Sequence, residues 1–229
     1  MKFPALTSFI IFVLITQFVI RRTTRKEKEN DEAFWDRERR SNSVRKQDLS
    51  GLDYISIPID ELPFGVLPDD PEVSSLEEQI KRLYEGQDNE ASRICNFTGL
   101  TNTDLKLQYG APNITKLSAY DQNYTTMVTT LQAWAKKLYD SSLYADAEKV
   151  LSFAVSTGTD ITASYRMLCE LYEDHLGLSA GEASERIKAL LATAESLKSL
   201  SRDGILRHLN ERLEKNTQIF AGPPPIETT

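Results

Sequence analysis

His175, His208, Cys95 and Cys169 are the residues of this 229-residue chain best suited to metal ligation or nucleophilic attack. A zinc site draws four such ligands from short, regular spacings. Neither histidine has a second histidine or cysteine at that spacing. A thiol nucleophile needs a base within reach. His175 follows Cys169 by six residues, which is not a shared helix face. Phosphate-binding patterns of the GxxxxGK[ST] or GxGxxG kind do not occur, and neither does a GxSxG elbow. The carboxylate pair Asp69-Asp70 lies among prolines and reads as turn chemistry. No catalytic residue, metal site or cofactor is therefore expected. An enzyme would need a site assembled by folding, with His175 or His208 brought to a cysteine and carboxylates.

A second group of residues suits recognition rather than catalysis. The stretches "NFTGLTNTDLKLQYGAPN" and "SAYDQNY" are rich in Asn, Thr and Tyr. Asn102, Asp104, Tyr109, Tyr120, Asp121 and Asn123 form a candidate polar surface or small-ligand site there. Helix caps and turns call for the same residue types.

The elements that carry these residues read as helices from Ser74 onward. Ser74 and Ser75 precede Glu77 and Glu78 at capping-box spacing, and Leu76, Ile80 and Leu83 follow with helical periodicity up to Gly86. A short helix is expected around Ala91–Cys95. The Thr101–Asp104 pattern caps a further helix that Gly110 and Pro112 close. A long run from Asn113 to Tyr139 reads either as one helix or as two broken near Tyr120-Asp121. Beyond it, Tyr144, Ala147, Val150, Leu151 and Ala154 line a face of another helix. The polar turn Asp140-Ser141-Ser142 is short enough to force the two antiparallel. Gly158 and Asp160 end that pair and cap the next helix, which carries Tyr165, Leu168, Cys169 and Tyr172. Ser179 and Glu182 form a capping box for a helix with Ile187, Leu190, Leu191, Ala194 and Leu197 inward. The last helix begins near Ser201, with Ile205, Leu206, Leu209 and Leu213. The fold class is all-α.

Shifted by 34 residues, this part partly matches itself, large-large-small-large recurring at helical spacing. Leu131 falls on Tyr165, Trp134 on Leu168, Ala135 on Cys169 and Leu138 on Tyr172. In this the chain resembles the tetratricopeptide-repeat family, in degenerate form, over about residues 129–199. It departs from the pattern where Leu131 replaces Trp, Ser142 the turn glycine and Thr159 the closing proline. About two extra residues lie at Leu176–Gly181. The resemblance implies stacked antiparallel hairpins, with the first helix of each pair lining a curved face. It places Gln132, Lys136, Tyr139, Arg166 and Glu170 on that face, as contacts for an extended peptide or as solvated polar residues. A generic antiparallel helical bundle accounts for the same spacings.

The N-terminus addresses location. Residues 3–20 contain no charge, and eighteen helical residues span about 27 Å. No small-residue cleavage pattern follows, so a retained transmembrane helix is preferred to a cleaved signal. Arg21, Arg22, Arg25, Lys26 and Lys28 flank the run on its C-terminal side. Lys and Arg resist translocation, so the N-terminus is expected outside and the body in the cytoplasm. Three glycosylation sequons, at Asn96, Asn113 and Asn123, pull toward a lumenal body instead. Residues 1–50 hold 11 Lys/Arg against 7 Asp/Glu, and residues 51–229 hold 16 against 27. That acidic body argues against nucleic acid. Two distant cysteines suit buried apolar positions in a reducing compartment, with a single disulfide as the alternative.

The expected organisation is an anchor at residues 1–22 and a charged juxtamembrane segment at 23–50, with Phe34 and Trp35 at the membrane interface or exposed. A Pro-containing extended linker follows at 51–73, with Tyr54, Ile55, Ile57 and Ile59 for docking. Then come a helical domain at 74–217 and a disordered tail at 218–229. The function these features point to is a membrane-tethered scaffold for a protein or peptide partner. The alternatives are an exported or lumenal domain on an uncleaved anchor, and a membrane-bound enzyme.

Overall fold

A computed structural model describes residues 4–221, without the side chains of residues 4–8, 10, 11, 14 and 217–221. Among the described residues the chain is all-α, with no strand. It forms two compact units: residues 1–49 with 101–114, and residues 50–100 with 115–229.

The first unit is built on α1 (Pro4–Ser43), an uninterrupted helix of 40 residues. At 1.5 Å per residue it is about 60 Å long. Phe9, Phe12, Ile15, Phe18, Val19 and Ile20 are exposed on it. Among the described residues no helix is long and apolar enough to cross a membrane. Half of the run expected to do so, residues 3–20, lies outside the residues whose side chains are described. Phe34 and Trp35 pack edge to face and are both 58% exposed. They stand 14 residues, or about 21 Å along the helix, beyond Ile20.

The last turns of α1 pack on α3 (Asn102–Tyr109). The contact is polar. Glu38 accepts from Lys106 Nζ at 2.7 Å and from Thr103 Oγ1 at 2.8 Å, and Arg37 donates to Asp104 at 2.5 Å. The chain after α1 stays on this unit, where Gln47 N–H donates to the Tyr109 carbonyl. Asn113 is fully buried, and its amide nitrogen reaches the carbonyls of Gln47 and Tyr109 at 2.8 Å each. Gly110 has φ +90, and a Cβ there would lie 2.2 Å from the Arg45 carbonyl oxygen. This unit has no cysteine, and of its described apolar side chains only Leu49 and Leu105 are buried.

The second unit holds the apolar core. Its helices are α2 (Pro71–Gly86), α4 (Ile114–Asp140, all but its first residue), α5 (Tyr144–Ser156), α6 (Thr162–Glu170), α7 (Ala180–Glu195) and α8 (Arg202–Ala221). α5 packs on α6, α6 on α8, and α7 on α8. Trp134, Leu131, Leu138, Tyr165, Leu168 and Ile205 are fully buried in one cluster. Each large side chain so buried contributes roughly 1.5–3 kcal/mol. The inward residues expected from periodicity on α5 to α8 all join this cluster, with Tyr144, Leu191, Leu206 and Leu213 only partly covered.

Several local expectations need revising. α2 starts at Pro71, because Asp70 caps it through Glu72 N–H and Val73 N–H and proline suits the first turn. Glu77, free of capping duty, is buried and accepts from Gly65 N–H at 2.9 Å. α4 runs through Tyr120-Asp121 without a break. Tyr120 points inward there, and its hydroxyl donates to the Glu90 carbonyl. Residues 90–92 form one 3-10 turn rather than a helix at 91–95. Ile161, not Asp160, precedes α6, with no side-chain cap. α6 continues as a wider π turn over Leu171–His175, closed by Leu176 N–H to the Leu171 carbonyl. The extended segment does dock. Ile57 is buried, Ile55 N–H donates to the Ile94 carbonyl at 2.9 Å, and Phe64 lies on Trp134.

Candidate functional site

One hydrogen bond links the two helices that carry the repeat-face residues, which also share the apolar core. Ser164 Oγ on α6 donates to Gln132 Oε1 on α4 at 2.5 Å. Tyr139 of α4 lies near Glu170 of α6, whereas Arg166 of α6 lies near His208 of α8. Lys136 is exposed and paired with Asp140 one turn on, at 2.7 Å. Arg166 and Glu170 are exposed. Tyr139 shares its hydroxyl with His175 Nε2 at 2.9 Å, and His175 stacks on Tyr144 at 4.1 Å. Burial, then the neighbouring Glu170 charge, pushes the Tyr139 phenol up, so it stays a neutral donor and acceptor. In the sequence His175 stands out only as a reactive side chain and Tyr144 only as a helix-face residue, and Ser164 not at all. Only the 34-residue register, which sets Ser164 opposite Thr130, hinted at their neighbourhood.

The polar-stretch residues divide between the units. Asn102, Asp104 and Tyr109 belong to the first. Asn102 is the first residue of α3, Asp104 completes the capping box with Thr101, and Tyr109 offers its carbonyl to Gln47 and Asn113. The Thr101 hydroxyl and N–H, with Arg37 behind them, hold the Asp104 carboxyl below the usual range. Tyr120, Asp121 and Asn123 belong to the second unit. Tyr120 and Asn123 pin the backbone of residues 90–93, Asn123 by its amide to the Arg93 carbonyl at 3.1 Å.

The reactive groups are placed for packing. Both cysteines are buried and free, and burial pushes each thiol up to about 12. Neither is a thiolate near neutral pH. Cys169 does lie near Glu173 and Arg212. Glu173 is clamped by Arg212 and by Asn216 at 3.0 Å, so its carboxylate is already paired. Among the described residues no group of three or more His, Cys, Asp or Glu could hold a metal ion.

All three sequon amides serve the fold. Asn96 Nδ2 reaches the Tyr124 hydroxyl and the carbonyls of Thr157 and Gly158. Asn113 and Asn123 donate to backbone carbonyls as described above.

The fold and these faces define a helical protein with helix-on-helix packing. No family model matches the chain, and no curated protein or solved structure matches it either.

Proposed function

We propose that this chain is a membrane-tethered helical scaffold whose α4–α6 face binds a protein or peptide partner on the cytoplasmic side. The observation that carries the reading is the Ser164–Gln132 bond, which links α4, the bearer of Lys136 and Tyr139, to α6, the bearer of Arg166 and Glu170; both cations are exposed. In the repeat reading, α4–α5 and α6–α7 are successive hairpins and α8 covers the last one. Residues 3–20 serve as the anchor, and the cationic flank at Arg21–Lys28 keeps the body on its own side. Tethering raises the local concentration of the body at membrane-associated partners.

The committed sequon amides favour this orientation over a glycosylated lumenal body. A sugar on Asn96 or Asn113 would replace an amide hydrogen that the fold uses, since each of these nitrogens already serves two or more acceptors.

The test joins charge reversal with topology. K136E and R166E together should abolish partner capture from membranes while lowering the thermal midpoint only slightly at pH 7.5, since both side chains are exposed and the Lys136–Asp140 pair is a surface one. Protease added to sealed vesicles with the cytoplasmic face inward should spare the body. Unchanged capture removes the face, and digestion of the body removes the orientation.

A further inference from the structure

One cavity in the second unit has a chemical character opposite to the domain around it. It holds about 410 Å³ and lies between the extended segment at Tyr54–Ser56, Gln87 at the end of α2, and Arg93-Ile94. Residues 51–229 carry a strong excess of Asp and Glu, yet no acidic residue lines this cavity. Its polar side chains are hydroxyls, the Gln87 amide and the Arg93 guanidinium.

Arg93 is fixed from three sides. Asn123 holds its carbonyl, the Ile94 carbonyl is paired with Ile55 N–H, and the guanidinium lies 4.5 Å over the Tyr54 ring. Glu90, the nearest acid in sequence, is engaged by Lys116 at 2.9 Å, and its charge also reaches Arg93. Gln87 uses its oxygen on Ile57 N–H, while its side-chain nitrogen is buried without a hydrogen-bond partner. An orphaned donor of that kind is costly and gains most from an incoming acceptor.

We propose that this cavity binds a carboxylate, with Arg93 as its charge partner, the Gln87 amide as a second donor, and Ile55, Ile94 and Tyr54 against the apolar part of the ligand. A planar monoanion matches one guanidinium. A phosphate dianion would leave a charge uncompensated inside an acidic domain. The ligand is an apolar free acid or the C-terminal carboxylate of a peptide ending in an apolar residue. This site is separate from the α4–α6 face.

Calorimetry on the full chain in detergent micelles tests it, with benzoate, acetyl-glycyl-leucine, its C-terminal amide and inorganic phosphate as probes. At least one carboxylate should bind, and the amide and phosphate should not. R93Q should weaken binding about 10- to 100-fold. Q87E keeps the oxygen facing Ile57 but replaces the donor with a carboxylate. It should abolish binding with the thermal midpoint retained. Benzoate as tight as the peptide assigns a free acid, and a peptide at least tenfold tighter assigns a C-terminus. No carboxylate binding, phosphate binding of equal strength, or full binding by folded R93Q overturns the proposal. K136E/R166E should leave these affinities unchanged, so failure here is distinct from failure of the scaffold face.

Discussion

Asn96 Nδ2 lies 3.1 Å from the Gly158 carbonyl oxygen, joining the loop before α3 to the C-terminal end of α5. The same nitrogen serves the Thr157 carbonyl, and the Asn96 oxygen accepts from Thr98 N–H at 2.9 Å. One short side chain thereby satisfies groups that a helix end leaves open. N96D would set a carboxylate against two carbonyl oxygens and remove the donor. The expected loss is about 2–4 kcal/mol by urea unfolding. Mass spectrometry of chain routed through a secretory pathway should find no sugar on Asn96 in the folded fraction.

Ser142, in the turn between α4 and α5, has φ +60 and is the sole non-glycine with positive φ among the described residues. Relief of that conformation gives about 1–2 kcal/mol, and added unfolded-state freedom removes about 0.4–1. S142G should raise stability by about 0.5–1 kcal/mol, read as a higher denaturation midpoint at unchanged slope.

Trp134 is fully buried, its ring 5.0 Å from that of Phe64, and its indole nitrogen has no hydrogen-bond partner. W134F loses modest volume and an unsatisfied donor together, so its cost should stay within about 1.5 kcal/mol. W134A should cost about 3–5 kcal/mol. A W134F loss well above about 1.5 kcal/mol would mean that the nitrogen is satisfied after all.

Gly110 turns the chain after α3 with a conformation that L side chains rarely adopt, against the Arg45 carbonyl. G110A should cost at least about 1–3 kcal/mol within the first unit. Hydrogen exchange is the suitable readout: α3 amides should lose protection while those of α5 keep theirs.

Burial, then the charges of Arg166 and Arg212, hold the His208 pKa below its ordinary value of 6.5, with Glu211 and Glu173 opposing them. A depressed value means that the folded state resists protonation. Stability present above about pH 6.5 is therefore lost as the pH falls from there toward the folded value. The thermal midpoint should drop between pH 7.5 and 5.5, and H208Q should flatten that drop.

Local rules carried much of the fold into the sequence. The Thr101–Asp104 and Ser179–Glu182 capping boxes form as spaced, because each needs only residues three apart. The stripe on α5, α6 and α7 is inward because periodicity and burial share one cause. Ser74 was a misleading start because Asp70 does the same job earlier and beside a proline. The Arg93 cavity was invisible for another reason. Its walls come from Tyr54, Gln87 and Arg93, and the side chain fixing Arg93 comes from α4. No short-range pattern joins them. The Ser164–Gln132 bond likewise spans 32 residues, and only the repeat register brought those helices to mind.

The unbroken course of α1 has a mechanical consequence. A continuous helix of about 60 Å with no proline or glycine after its first residue has no sharp joint at which to absorb a twist. Turning or leaning its leading end rotates Phe34 and Trp35 by the same angle, and the Glu38–Lys106 clasp passes that motion on to α3. The first unit is thus geared to its own shaft.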